Sequence, residues 1–137
     1  MKLKNILLVE DDIDDQLLFR DAVSGINEIL SCAIANNGRE ALECLQTPPP
    51  PDVIFLDLNM PIMNGIECLS ALRNSDRYRN IPVIIFSTSS NYNDIERTKN
   101  MGATLFFHKP SSFKMLCERL RFLFGTPLDE QPSFYLS

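Results

Sequence analysis

Three separated groups of side chains could do chemistry together if the fold collects them. They are Glu10-Asp11-Asp12, Asp57 with Asn59 two residues on, and Ser87-Thr88 with Lys109 further along. Carboxylates gathered in one place repel each other unless a cation neutralises them. A hard divalent ion held by one or two carboxylates and completed by backbone oxygen and water fits Mg2+. Beside such an ion, Asp57 could attack phosphorus as a carboxylate nucleophile while the ion neutralises the phosphoryl oxygens. Lys109 and the Ser87 hydroxyl would complete the shell of charge and hydrogen bonds. Each piece alone has a plainer reading. Glu10-Asp11-Asp12 could be the N-cap and first turn of a helix, Asp57 could be another cap, and Lys109-Pro110 could be loop.

The elements that must position these groups are legible as an alternation. Five short apolar runs recur at Ile6 to Val9, Ile29 to Ala35, Val53 to Leu56, Val83 to Phe86 and Leu105 to Phe107, with helix-length segments between them. That is the signature of βαβ units and a parallel sheet. The helical segments carry apolar stripes, Leu18, Phe19, Ala22, Val23 and Ile26 in the first and Phe113, Leu116, Cys117, Leu120, Leu123 and Phe124 in the last. These spacings predict core-facing stripes. The expected fold is α/β, a doubly wound (βα)5 unit with a five-stranded sheet of order 2-1-3-4-5. In such a sheet ligands bind at the C-terminal edge of the strands. Acids follow the first and third runs, a hydroxyl ends the fourth and a lysine follows the fifth. The second run ends in Ala35-Asn36-Asn37, without charge, as expected of an edge strand lying away from the cleft.

At 137 residues the chain has room for one core, so an output would pass through a partner. A net charge of −5 and a pI near 4.8 argue against direct binding to nucleic acid or anionic membrane. The apolar run after Met1-Lys2-Leu3-Lys4 is too short for a signal peptide or a membrane span. Cys32, Cys44, Cys68 and Cys117 form no C-x-x-C pair and read as buried free thiols in a reducing cytoplasm. Thr47-Pro48-Pro49-Pro50-Pro51 reads as a stiff connector rather than a ligand for another domain. A lone His108 between Phe107 and Lys109 reads as a strand-end surface residue.

Taken together, these residues resemble the receiver domain of two-component response regulators, in particular the stand-alone, chemotaxis-type members. The resemblance covers about Lys4 to Gly125. It rests on Leu8-Val9-Glu10-Asp11-Asp12, Leu56-Asp57-Leu58-Asn59-Met60-Pro61 with Asn64-Gly65, Ser87-Thr88, and Gly102-Ala103 followed by Lys109-Pro110. It implies a flavodoxin-like domain over residues 1–125 and a tail over 126–137. It further implies that Asp57 is the phosphoacceptor. Glu10, Asp11, Asp57 and the Asn59 carbonyl would hold Mg2+, Ser87 would be the switch hydroxyl, Lys109 the active lysine and Phe106 the switch aromatic. The Lys109-Pro110 bond is cis in the family.

The implied protein is a phosphoacceptor switch rather than an enzyme, although it assists its own phosphorylation and dephosphorylation. A histidine kinase or phosphotransfer protein would act on it, and it would signal to a downstream target protein. Two alternatives stand beside this reading. One is a receiver-like binding module that is never phosphorylated; the other is an aspartyl-phosphate phosphatase, for which Asn59 replaces the general acid wanted two residues after the nucleophile. Ile13 and Leu17 lie off the first helix's core stripe and suggest an exposed patch where a donor helix docks. Met115 and Phe122 point away from the last helix's core stripe, and the tail ends Phe134-Tyr135-Leu136. Those residues suggest either a tail folded back on its own helix or a homodimer through that helix and tail.

Overall fold

The structure is a computed structural model describing residues 3–27, 29 and 31–137. Met1 and Lys2 of the N-terminal stretch and Leu30 of the second apolar run lie outside the described residues. Among the described residues six strands and five α-helices follow one another: β1 Asn5–Val9, α1 Ile13–Ser24, β2 Ser31–Ala35, α2 Gly38–Cys44, β3 Val53–Leu56, α3 Gly65–Arg73, β4 Val83–Ser87, α4 Tyr92–Asn100, β5 Leu105–His108, α5 Phe113–Gly125 and β6 Tyr135–Leu136. A short 3-10 turn, Leu128–Glu130, precedes β6. The sheet is parallel throughout, in the order β2-β1-β3-β4-β5-β6. The expected order 2-1-3-4-5 is therefore present, extended by a sixth strand that the reading of a plain tail did not foresee.

The central strands are apolar on both faces because helices cover both. One face packs Phe19, Ala22 and Val23 of α1 and Leu116, Leu120 and Leu123 of α5 over Ile6, Leu8, Phe55, Phe86 and Phe107. Phe19 sits edge-on to Phe55 and Phe86, with ring centroids 4.9 Å and 5.3 Å away. The other face buries Leu7, Val9, Ile54, Leu56, Ile85 and Phe106 with Ala41, Cys68, Leu69 and Leu72. Helix α4 buries only Thr98 of its own residues.

Two members of the expected core stripes lie elsewhere. Leu18 and Phe113 are exposed and line a shallow groove between α1 and the start of α5. Phe19, the next residue, takes the inward position against Phe55 and Phe86, and Phe113 is the first residue of α5. Of the cysteines, only Cys68 is fully buried and Cys44 is exposed, so the expectation of four buried thiols fails at Cys44 near the end of α2. All four are free. The proline run contains a cis bond between Pro48 and Pro49, the one cis bond among the described residues, so the Lys109-Pro110 bond is trans.

Candidate functional site

Strand register does most of the assembly. Val9 pairs with Leu56, so the next residues, Glu10 and Asp57, emerge side by side at the sheet's C-terminal edge. Both are tied to the ladder they have just left, Glu10 N donating to the Ala35 carbonyl at 2.9 Å and Asp57 N to the Val9 carbonyl at 3.0 Å. Ser87 pairs with His108, and Lys109 N then donates to the Ser87 carbonyl at 2.8 Å. Lys109 thereby enters the site beside the two acids. One ligand oxygen from each of Glu10, Asp11 and Asp57 lies within 4.8 Å of the others. An all-carboxylate set of this kind suits a hard divalent cation such as Mg2+ and gives no preference to a softer metal.

The plainer readings resolve residue by residue. Asp12 is indeed the N-cap of α1, its Oδ1 accepting from Asp15 N at 3.0 Å, while Glu10 and Asp11 turn into the cluster. Asp57 caps no helix; its Oδ1 accepts from Leu58 N at 2.8 Å. The cap of α3 is Asn64, which forms a reciprocal capping box with Glu67. Asn37 caps α2, and Asn36 accepts from Gln16 Nε2, so the end of β2 brings no charge to the site.

Lys109 is the electrostatic centre. Its Nζ donates to Glu10 Oε1 at 2.5 Å and to Asp15 Oδ2 at 2.8 Å, and lies 3.9 Å from Asp57 Oδ1. It also lies 5.1 Å from the centroid of the Phe86 ring. Burial pushes the Glu10 carboxyl up to about 7 against the downward pull of Lys109, and the Asp57 charge adds to the rise. Burial likewise raises Asp57, again opposed by Lys109. Burial works against the Lys109 charge, but its bonds to Asp15 and Glu10 and the Asp57 charge outweigh it, and its pKa is raised.

Ser87 is buried, and its Oγ accepts from Ser89 N at 3.1 Å. Phe106 is buried on the opposite sheet face from Phe107. His108 Nε2 lies 3.0 Å from the Thr88 carbonyl oxygen, which links the end of β5 to the loop leaving β4. Asn59 is exposed in the loop beyond Asp57. In that loop Ile62 holds a positive φ of 68°, with Met63 N donating to the Pro61 carbonyl at 2.7 Å. Gly65 permits the loop's return: a Cβ there would stand 2.2 Å from the Asp57 carbonyl oxygen. Gly102, just past α4, has φ 97°, which favours glycine, and its carbonyl accepts from Arg73 Nε at 2.8 Å.

Sequence reasoning missed Asp15, Gln16 and Phe86. Gln16 Nε2 donates to the Glu10 carbonyl at 2.6 Å, fixing the backbone of the acidic pair. The available signal was that Asp15 falls in the first helical turn after a strand-end acid, hence at the functional edge. Its direction toward Lys109 depends on how α1 lies on the sheet.

Comparison with known proteins agrees with this architecture. The response regulator receiver domain model matches residues 6–121. The polar-differentiation response regulator DivK of Brucella anthropi is 32% identical over 124 residues, covering 89% of this chain and 97% of DivK. The phosphorylated cyanobacterial phytochrome response regulator RcpA superposes with a TM-score of 0.81 at 27% identity, covering 90% of this chain and 91% of that one. The Mn(2+)-bound form of response regulator Rcp1 gives a TM-score of 0.81 at 27% identity, covering 93% and 96%.

Proposed function

The chain belongs to the family of response regulator receiver domains, and from that premise we propose that Asp57 accepts a phosphoryl group from a histidine kinase or phosphotransfer protein. The observation that carries this is the meeting of Glu10, Asp11 and Asp57 within 4.8 Å, with the Lys109 ammonium 3.9 Å from Asp57. An Asp57 oxygen attacks phosphorus, the bond from phosphorus to the donor's nitrogen or oxygen breaks, and its electron pair leaves with the donor. Lys109 supplies positive charge where the phosphoryl oxygens come to rest, and the Ser87 hydroxyl a hydrogen bond.

Glu10, Asp11 and Asp57 would hold Mg2+, with the Asn59 carbonyl as a further ligand. When bound, the ion neutralises the acidic pocket and the phosphoryl oxygens. The donor set fits, and the Mn2+ seen in Rcp1 is in keeping with it. The added phosphoryl charge draws Lys109 and Ser87 inward and shifts the loops after β4 and β5, moving Phe106. A downstream target protein reads that shift. The cytoplasm suits four free cysteines, with burial pushing the Cys68 thiol up to about 12. Among the described residues no helix is long and apolar enough to cross a membrane.

The test is intact mass after incubation with acetyl phosphate, with and without EDTA, for the wild type and Asp57→Asn. One phosphoryl group on the wild type with Mg2+, and none with EDTA or on the variant, is the expected result. Equal labelling of the variant sinks the assignment.

A further inference from the structure

A lysine ammonium group has three N–H donors and no acceptor. Lys109 directs one to Glu10 and one to Asp15, with Asp57 beyond at 3.9 Å. Two of these anions, Glu10 and Asp57, belong to the acidic cluster suited to a divalent ion, and Asp15 does not. A carboxylate engaged by a cation holds an ammonium group less well, because the two positive charges repel. Among the described residues, Asp15 is the one Lys109 partner that an ion in the cluster leaves free.

We propose that Asp15 is a positioning residue for phosphoryl transfer, anchoring the Lys109 ammonium beside Asp57 in the ion-loaded protein so that a remaining N–H faces the incoming phosphoryl oxygens. This rests on Asp57 being the acceptor.

Three features suit Asp15 to the task. It sits in the first turn of α1, where the helix dipole favours an anion. Its backbone is pinned, its N–H donating to Asp12 Oδ1 at 3.0 Å. Its side chain lies at the rim, 36% exposed, against 1% for Glu10, so Lys109 is bonded to one buried carboxylate and one at the rim. Lysine is a point charge on a flexible stem, and a pull from one side alone would leave it poorly fixed. The competing view makes Asp15 an ordinary first-turn acid that touches Lys109 without consequence.

The test uses the full chain with Mg2+ and the variants Asp15→Ala, Asp15→Asn, Asp15→Glu, Lys109→Ala and the Asp15→Ala/Lys109→Ala pair. Two readouts are taken: the acetyl phosphate labelling rate, and the order of the Lys109 side chain by NMR of lysine-labelled, unphosphorylated protein. Asp15→Ala is expected to slow labelling about tenfold, the scale of one charge-assisted hydrogen bond to a partly exposed partner. Asp15→Glu should recover part of the rate, and Lys109 signals should average toward those of surface lysines in Asp15→Ala. In the Lys109→Ala background the further loss should vanish, because the two residues act as one unit. The same loss in both backgrounds, or a Lys109 as ordered without Asp15 as with it, overturns the proposal. Asp15→Asn keeps an acceptor oxygen without the charge and carries the same comparison if the alanine variant does not fold. Failure of Asp57 as acceptor would appear as an unlabelled wild type, whereas the NMR comparison precedes any donor and judges Asp15 separately.

Discussion

The Phe106 ring lies 5.7 Å, centroid to centroid, from that of Tyr135, so the tail strand is stacked on the aromatic that the family resemblance assigns to switching. Pairing is direct, Phe106 N donating to the Phe134 carbonyl at 2.9 Å. The tail also reaches both flanking helices. Lys99 of α4 lies 5.9 Å from the Phe134 ring, and Gln131 Nε2 donates to the Leu123 and Thr126 carbonyls at the end of α5. Residues 126–137 thus close an edge of β5 that would otherwise present unpaired backbone groups.

Stopping the chain at Gly125 is expected to expose that edge along with Phe106 and Phe107. Sedimentation velocity should then show a truncated protein that self-associates while the full chain is monomeric. A full chain that dimerises instead, and a truncated one that does not, would favour exchange of tails between copies, with Met115 and Phe122 exposed nearby. A cavity of about 360 Å3 between α5 and β6, lined in part by Phe122, Tyr135 and Leu136, lies where such an exchange would act.

A second expectation concerns the donor. Ile13 and Leu17 are 68% and 57% exposed, and Leu18 and Phe113 add apolar surface beside Lys109. Replacing Ile13 and Leu17 together with Lys should slow transfer from a kinase or phosphotransfer protein at least tenfold, about the worth of two buried side chains at half strength. Labelling by acetyl phosphate, which needs no docking, should be unchanged. Equal loss of both activities would mean that the substitutions damage the fold.

The raised Glu10 pKa fixes the sign of a pH dependence. Between the ordinary value of 4.5 and about 7, the native protein keeps a proton that the unfolded chain has released. Stability of the metal-free protein should therefore fall as pH rises through that interval and level off above it. Asp57, also raised, acts in the same direction. Mg2+ must displace that proton, so its affinity should climb with pH to about 7 and then flatten. The chain has no tryptophan, so urea unfolding followed by circular dichroism and calorimetric titration of Mg2+ are the suitable measurements. A flat profile in both between pH 5 and 7, within about half a log unit of affinity, would contradict the burial of Glu10 as the dominant influence.

Gly65→Ala offers a steric test of the site's floor. The added Cβ meets backbone, the Asp57 carbonyl oxygen and Leu58 Cα, and not a side chain that could swing aside. The loop after β3 must shift, at a cost of about 2–3 kcal/mol in stability. Mg2+ affinity should fall as well, because Asp57 moves with its own carbonyl. Undiminished Mg2+ binding in the folded variant would show that the loop absorbs the methyl without disturbing Asp57.

Local pattern determined much of this protein by itself. The apolar runs, all but the second followed by an acid, a hydroxyl or a lysine, define parallel strands whose C-terminal ends share one edge, because buried strands and amphipathic helices leave distinct periods in a sequence. Glu10, Asp11, Asp57 and Lys109 were legible for that reason, and they meet as the pattern required. Other relationships depend on how one element lies against another. Asp15 reaches Lys109 only through the packing of α1 against the sheet, and an i-to-i+94 ion pair leaves no local trace. Leu18 and Phe113 keep helical period yet stay exposed, lining a groove between α1 and α5 instead of joining the core. Tyr135–Leu136 is two residues long, too short for any alternation to register, and became a strand because β5 offered it an unpaired edge. Period is a property of neighbours in the chain; partnership across the sheet is decided where the chain returns to itself.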